Sequence, residues 1–375
     1  LKKISILLVC TLLLLTSCAP NMNDEEVLQN DESEEEVSIV PSHQLSEENY
    51  KMVLPYKVSE ARGVITNQVA NRLDIDEMEQ GLRRHSKEVF DPKQYFFQEG
   101  QYLTSDRLFE WIDEWNPVIE EELEGLDDED QEDIHRENPR YLSHILEQNY
   151  LQKEGEENNV ELKGMSIGIA LKSVYQFHTE SRGPYFEDIG MDEMMEQGNK
   201  IAQKLIEELR QIEGLQDVPI MIALYREEDQ ASPVPGNFVA KTNVPGGSAS
   251  IGEWDSVDEE NILFPSDEGK EKYFDDHEIV TNFGNEIATF FPNYTGIIGK
   301  GFYVNGELQK MTIEIPIEFY GKGEVIGFTQ FAYSLVQEMF SDYFDLEIKV
   351  TTSDQIESLI YRKAGAESPT IHIFH

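Results

Sequence analysis

A chain of 375 residues has room for about two domains of ordinary size and can bury substantial cores. Its 39% hydrophobic and 10% aromatic residues argue against wholesale disorder, while 74 acidic against 30 basic side chains leave a formal charge of −44. A surface that acidic repels phosphate backbones and anionic headgroups, which argues against nucleic acid as a partner and against a body lying flat on a bilayer.

The N-terminus reads as an address. Lys2 and Lys3 precede an apolar run from Ile4 to Leu15 broken only by Ser5 and Thr11, the layout of a secretory signal and too short for the ~20 apolar residues of a membrane span. Leu15, Thr16, Ser17 and Cys18 follow. The segment is similar to the bacterial lipobox, in which the cysteine sulfur receives a diacylglyceryl group and the chain is cut just before it. Residues 1–17 are therefore expected to be a signal peptide, with cleavage between Ser17 and Cys18 and lipid on Cys18. The only other cysteine, Cys10, lies in the leader, so no intramolecular disulfide is expected in the mature chain. The expected location is the extracellular face of the cell membrane, with the lipid anchor as the membrane contact.

Residues 18–48, with Asp24, Glu25, Glu26, Asp31, Glu32 and Glu34 to Glu36, read as a self-repelling disordered tether. A helix follows from Asp74, with Ile75, Met78, Leu82 and Val89 on one face, then a strand at Tyr95 to Phe97. Helices are expected near Ser105 to Trp115 and Tyr141 to Tyr150, around a solvated acidic run from Glu120 to Asp133. The polar stretch Glu154 to Asn159 suggests a boundary between a domain at 49–158 and one at 159–375.

The second region opens with a half-buried strand carrying Met165, Ile167, Ile169 and Leu171. A helix from about Asp192 to Ile212 and a strand from Pro219 to Tyr225 come next. A loop from Asp229 to Ser250, dense in proline and glycine, is long enough to suggest a functional role. A helix near Ile279 to Phe290 leads to a hairpin closed by Asn305 and Gly306, a pair suited to a positive-φ turn. The chain then reads helix, strand Leu346 to Val350, helix from about Asp354, strand Ile371 to Phe374. The fold class is α+β with mixed or antiparallel sheets. Arg62-Gly63 before Asp76 to Gly81, and Arg182-Gly183 before Asp192 to Gly198, form an internal echo that suggests two related domains.

The segments Phe97 to Gln101, Leu162 to Gly168, Val234 to Phe238, Phe291 to Gly296 and Ile326 to Gln330 carry a resemblance to the CamS sex-pheromone precursor family of Gram-positive lipoproteins. Glu357 to Ile360 and Ile371 to Ile373 fit it as well. The resemblance implies tandem related domains and a short hydrophobic peptide, cut from the signal sequence, that acts as a conjugation pheromone. Here that peptide would run from about Thr11 to Ser17, and its Thr16-Ser17 end is more polar than the small apolar ending of the known pheromone.

The search for chemistry gives little. None of the eight histidines falls in H-E-x-x-H, and Gly246 to Ser250 lacks the second glycine of G-x-S-x-G. Gly299-Lys300-Gly301 and Gly321-Lys322-Gly323 lack the spacing of a pyrophosphate loop. No metal or cofactor is expected. Glu286 with Asp275, or Glu314 with Glu318, could pair for glycoside hydrolysis, though with 74 acidic residues such pairs arise by chance. Asn237, Phe238, Asn293 and Tyr294 are the candidate ligand-binding residues of a cleft in the second domain. The leading expectation is a non-enzymatic surface lipoprotein that binds or scaffolds an extracellular ligand or protein. The alternative is an envelope hydrolase acting on wall glycan or peptide, with solute capture for a transporter third.

Overall fold

The computed structural model describes residues 25–31, 34–41, 45–46, 49–154, 159–291 and 293–374. Residues 1–17, read as a leader, and Cys18, the expected acyl acceptor, lie outside the described residues. Within the acidic segment, β1 (Glu25–Asp31) and β2 (Glu34–Val40) form a hairpin.

The chain then forms β3 (Lys51–Met52), α1 (Arg62–Gln68), α2 (Arg72–Ser86), β4 (Phe96–Glu99), α3 (Ser105–Trp115), α4 (Glu120–Leu123) and α5 (Asp128–Glu137). A long hairpin of β5 (Leu142–Glu154) and β6 (Asn159–Leu171) follows, then a small one of β7 (Val174–Phe177) and β8 (Tyr185–Asp188). Next come α6 (Met191–Leu209), β9 (Ile220–Arg226), β10 (Asn237–Val244) and β11 (Asp255–Ser256). These strands build a nine-stranded sheet in the order β11-β10-β9-β6-β5-β4-β3, joined by β1 and β2 through Leu28 and Gln29 of β1 beside Asn159 and Val160 of β6.

A second unit holds β12 (Glu259–Phe264), α7 (Asp267–Lys272), α8 (Phe274–Phe290), β13 (Ile298–Val304), β14 (Glu307–Pro316), α9 (Lys322–Met339), β15 (Asp345–Thr351), β16 (Ile356–Arg362) and β17 (Thr370–Ile373). Its six strands lie side by side in chain order. Asn305 and Gly306 close β13 to β14 at φ 52° and 75°, the turn their sequence demands.

The two units are topological repeats. From β4 the first pairs its strands antiparallel to β5, antiparallel to β6, parallel to β9, then antiparallel to β10 and β11. From β12 the second pairs antiparallel to β13, antiparallel to β14, parallel to β15, then antiparallel to β16 and β17. Each parallel step is bridged by one long helix, α6 or α9, as a crossover connection requires. The repeats therefore occupy 96–256 and 259–373. The boundary expected at 158 falls instead inside the β5–β6 hairpin, where Glu154 pairs with Asn159; a polar hairpin turn was read as a linker. The echo between Arg62-Gly63 and Arg182-Gly183 pairs positions that are not equivalent, since Arg62 opens α1 while Gly183 sits between β7 and β8.

Burial differs between the repeats. Met165, Ile167, Ile169 and Leu171 of β6 and Ile220, Ile222 and Leu224 of β9 belong to a core formed with α3 and α6. Ala170, Met221, Ala223 and Tyr225 face a second core on the opposite side of the sheet, with Met78 and Leu82 of α2. The sheet is thus covered on both faces, and β9 shows the unbroken apolar run that this requires. In the second unit α8 and α9 share one core with the sheet, and β15 alternates buried with half-exposed residues.

Three segments differ from their sequence reading. Tyr141 to Tyr150 contributes to β5 rather than a helix, because a strand buried on both faces shows no alternation and its apolar spacing mimics a helical stripe. The proline-rich loop contains β10, where Phe238, Ala240, Thr242 and Val244 are buried in strict alternation. The expected helix from Asp354 is β16, held between β15 and β17. Val89 lies beyond the end of α2 and is exposed.

Candidate functional site

Helix α2 is set in place from both ends. Asn71 caps it, accepting from the Leu73 amide at 2.9 Å, and donates to the Asp229 and Ser232 carbonyls at 3.2 and 3.1 Å. Asp74 in its first turn is buried and accepts from Tyr225 Oη and Gly236 N, both at 2.7 Å, which pins the Val234 to Phe238 segment onto the helix. Burial raises the Asp74 carboxyl above its ordinary value, with those donors pulling the other way. At the far end Arg84 forks onto Glu259 of β12 at 3.1 and 2.9 Å and lies over the Phe302 ring, fastening α2 to the second unit.

Between α1, α2, the end of β4 and β5 lies a cavity of ≈ 50 Å³. Its floor is built on Glu147, whose carboxyl burial raises above its ordinary value while its hydrogen-bond donors pull the other way. The Glu147 carboxylate is buried and accepts from the amides of Gln101 at 2.9 Å, Tyr102 at 3.2 Å and Leu103 at 2.8 Å, and from Asn149 Nδ2 at 2.9 Å. Gly100 permits that wrap, since a Cβ there would stand 2.6 Å from Glu147 Cβ. Glu99, also in the lining, accepts from Tyr56 Oη at 2.5 Å and Ser59 N at 2.8 Å and pairs with Arg62 at 3.2 Å. Phe97, Leu103 and Ile145 supply apolar wall.

Two residues that line this cavity each carry a buried nitrogen without a partner. His144 is 2% exposed, lines the space, and its Nδ1 makes no hydrogen bond; burial pushes its pKa down to about 3, so the ring is neutral. Arg83 lays its guanidinium over Phe97, 4.6 Å from the centroid, with Nε buried and unpartnered. Buried polar atoms are nearly always satisfied, so each marks a place where something else belongs. Glu79, one turn before Arg83 on α2, also lines the cavity, and burial raises its carboxyl.

The residues singled out from sequence are dispersed. Asn237 stands at the start of β10 and lines a groove of ≈ 270 Å³ between the Pro233 to Pro235 loop and β12. Phe238 beside it is fully buried against Tyr225 and His85, core rather than cleft. Tyr294 packs against the second unit's core, and Asn293 donates to the Glu318 carbonyl at 3.3 Å. The four are thus divided between the two units. Glu286, Asp275, Glu314 and Glu318 are all exposed. Among the described residues no group of three or more His, Cys, Asp or Glu is placed to hold a metal ion, and no helix is long and apolar enough to cross a membrane.

Sequence reasoning passed over His144, Arg83 and Glu79. The available signal was Phe97-Gln98-Glu99-Gly100-Gln101, noted for its resemblance alone: Phe97 and Glu99 line the cavity, and Gly100 and Gln101 cradle Glu147.

This architecture defines a tandem α+β protein of two six-stranded repeats, the first carrying an added helical layer and a small cavity of mixed lining. The family model described as CamS sex pheromone cAM373 precursor matches residues 56–368, and the chain belongs to that family. It is similar to the crystal structure of a sex pheromone precursor from Lactobacillus salivarius, at 28% identity and a TM-score of 0.80 over 89% of this chain and 98% of that one. It is also similar to the C-terminal domain of the sex pheromone staph-cAM373 precursor from Staphylococcus aureus, at 26% identity and a TM-score of 0.67 over 82% and 99% of the two chains. No match was found among curated proteins.

Proposed function

We propose that this CamS-family chain is a lipoprotein held on the outer face of the cell membrane by an acylated Cys18, and that its folded part binds a small ligand without turning it over. The cleaved leader, ending in Thr11 to Ser17, supplies a pheromone-like peptide. The family's description as a pheromone precursor supports the second statement. One observation carries the binding reading: Arg83 and His144, which line one small cavity, each hold a buried nitrogen with no partner in the protein. A site of this kind is built to receive an acceptor rather than to fill a core.

The anchor and the peptide are tested together by mass spectrometry of membrane and supernatant fractions from expressing cells. Acyl chains on Cys18 and a released peptide ending at Ser17 are expected, and the Cys18→Ser variant should leave the membrane fraction. Retention of that variant on membranes would show that something other than the thioether-linked lipid holds the protein.

A further inference from the structure

We propose that the cavity under α2 takes a small zwitterionic α-amino acid, of glycine to serine size. This rests on the binding reading above and names its ligand.

The cavity sets the size. Its ≈ 50 Å³ compares with roughly 10–15 Å³ for one water by the same measure, so it accommodates about four waters or a ligand of similar bulk. The leftover polar groups set the chemistry. Glu147 is satisfied by four N–H donors, and Glu99 by Tyr56, Ser59 and Arg62. Three groups remain. Arg83 has its Nε buried without an acceptor, and His144 has Nδ1 buried without a partner. Glu79 feels Arg62 and Arg83 only as charges at a distance, with no hydrogen bond to either.

Their placement is specific. Glu79 and Arg83 stand four residues apart on α2, so they share one helix face about 5–6 Å apart at Cβ. A carboxylate and a guanidinium one turn apart match an ammonium and a carboxylate carried on one carbon. The ammonium would meet Glu79, and the carboxylate would accept from Arg83 Nε and, as an N–H donor, His144 Nδ1. Phe97, Leu103 and Ile145 leave a short apolar recess for a hydrogen, methyl or hydroxymethyl group.

The charge count separates this ligand from simpler ones. Arg62 and Arg83 face Glu79, Glu99 and Glu147 around the cavity. A plain carboxylic acid would leave Glu79 without a cation to meet, and a plain amine would leave both unpaired nitrogens unserved. A zwitterion changes no net charge and satisfies both ends.

The test is calorimetric titration of the purified mature chain with glycine, both alanine enantiomers and L-serine, with acetate and methylamine as half-ligands. At least one amino acid should bind saturably, with both half-ligands ten-fold weaker or worse. Glu79→Gln and Arg83→Gln should each weaken binding ten-fold or more, while the exposed Glu286→Gln leaves it unchanged. Leu103→Phe, which fills the recess without touching a charge, should exclude serine before glycine. Acetate binding as tightly as alanine would overturn the zwitterion while leaving a binding cavity. No heat from any probe, together with ordered water filling the cavity in crystals soaked in alanine, would overturn both.

Discussion

The two repeats share six strands, one crossover helix and every pairing sense, yet only the first has a layer on each side of its sheet. The second buries one face under α8 and α9 and leaves the other partly open to solvent. The first buries that open face under α2, and the cavity lies in the layer so added. The duplicated part supplies a scaffold, then, and the site belongs to what was laid over it. The same contrast appears in the strands: IMIALYR in β9 against DLEIKVT in β15.

Removing a side chain from the added layer should break the comparison most visibly. Leu82→Ala empties a fully buried position between α2 and the sheet and should cost ~2–5 kcal/mol. Thr312→Ala, on the open face of β14, should stay within ~0.5 kcal/mol. Urea unfolding followed by far-ultraviolet circular dichroism reads both units, while the fluorescence of Trp111, Trp115 and Trp254 reports on the first. Equal losses for the two variants would remove the distinction between a covered and an open sheet.

The response to pH sharpens it further. Burial pushes Glu227 at the end of β9 up to about 7 from an ordinary 4.5, and its Oε1 has no partner. Between those values the folded chain keeps a proton the unfolded chain has lost, so stability falls as pH rises through the window, by about 3 kcal/mol in all. His144 acts in the opposite sense: unfolded chains take up its proton below about 6.5 while the folded ring stays neutral to about 3, so stability falls as pH drops through that range. In the second unit Glu357 is instead held low by hydrogen bonds from Lys322 and Gln355. Relative to the native chain, Glu227→Gln should raise stability at pH 7 over that at pH 4.5 by about 3 kcal/mol and leave the acid limb intact, as followed by tryptophan fluorescence in urea at a series of pH values. An unchanged slope would assign that loss to another group.

Much of the fold could be read from the chain. The helices at Ser105 to Trp115 and around Asp192 to Ile212 show their apolar stripe, and Asn305-Gly306 specifies its turn. The strand at β5 could not be read for a physical reason. Where both faces of a strand are buried, as in β5, polar residues such as Ser143, His144, Gln148 and Asn149 go inside and the period of two disappears. The same burial hid the site. His144 looks like any histidine in a list of eight, and only the closure of α1 and α2 over β5 makes it an unpaired nitrogen in a cavity. Asn237 and Phe238 were legible as a distinctive segment but not as to role. Gly236 and Phe238 hold α2 down, through Asp74 and through the core, and Asn237 faces the junction with the second unit.

On the reading proposed above, a neutral His144 meets a small ligand in the cavity under α2. Long-range nitrogen–proton correlation of the labelled imidazole, recorded at pH 6 during titration with glycine and then L-alanine, tests it at the atom concerned. The expected result is a neutral ring whose Nδ1 resonance moves and saturates with at least one of the two. A ring protonated at that pH, or a neutral one unmoved by either at high concentration, would contradict it.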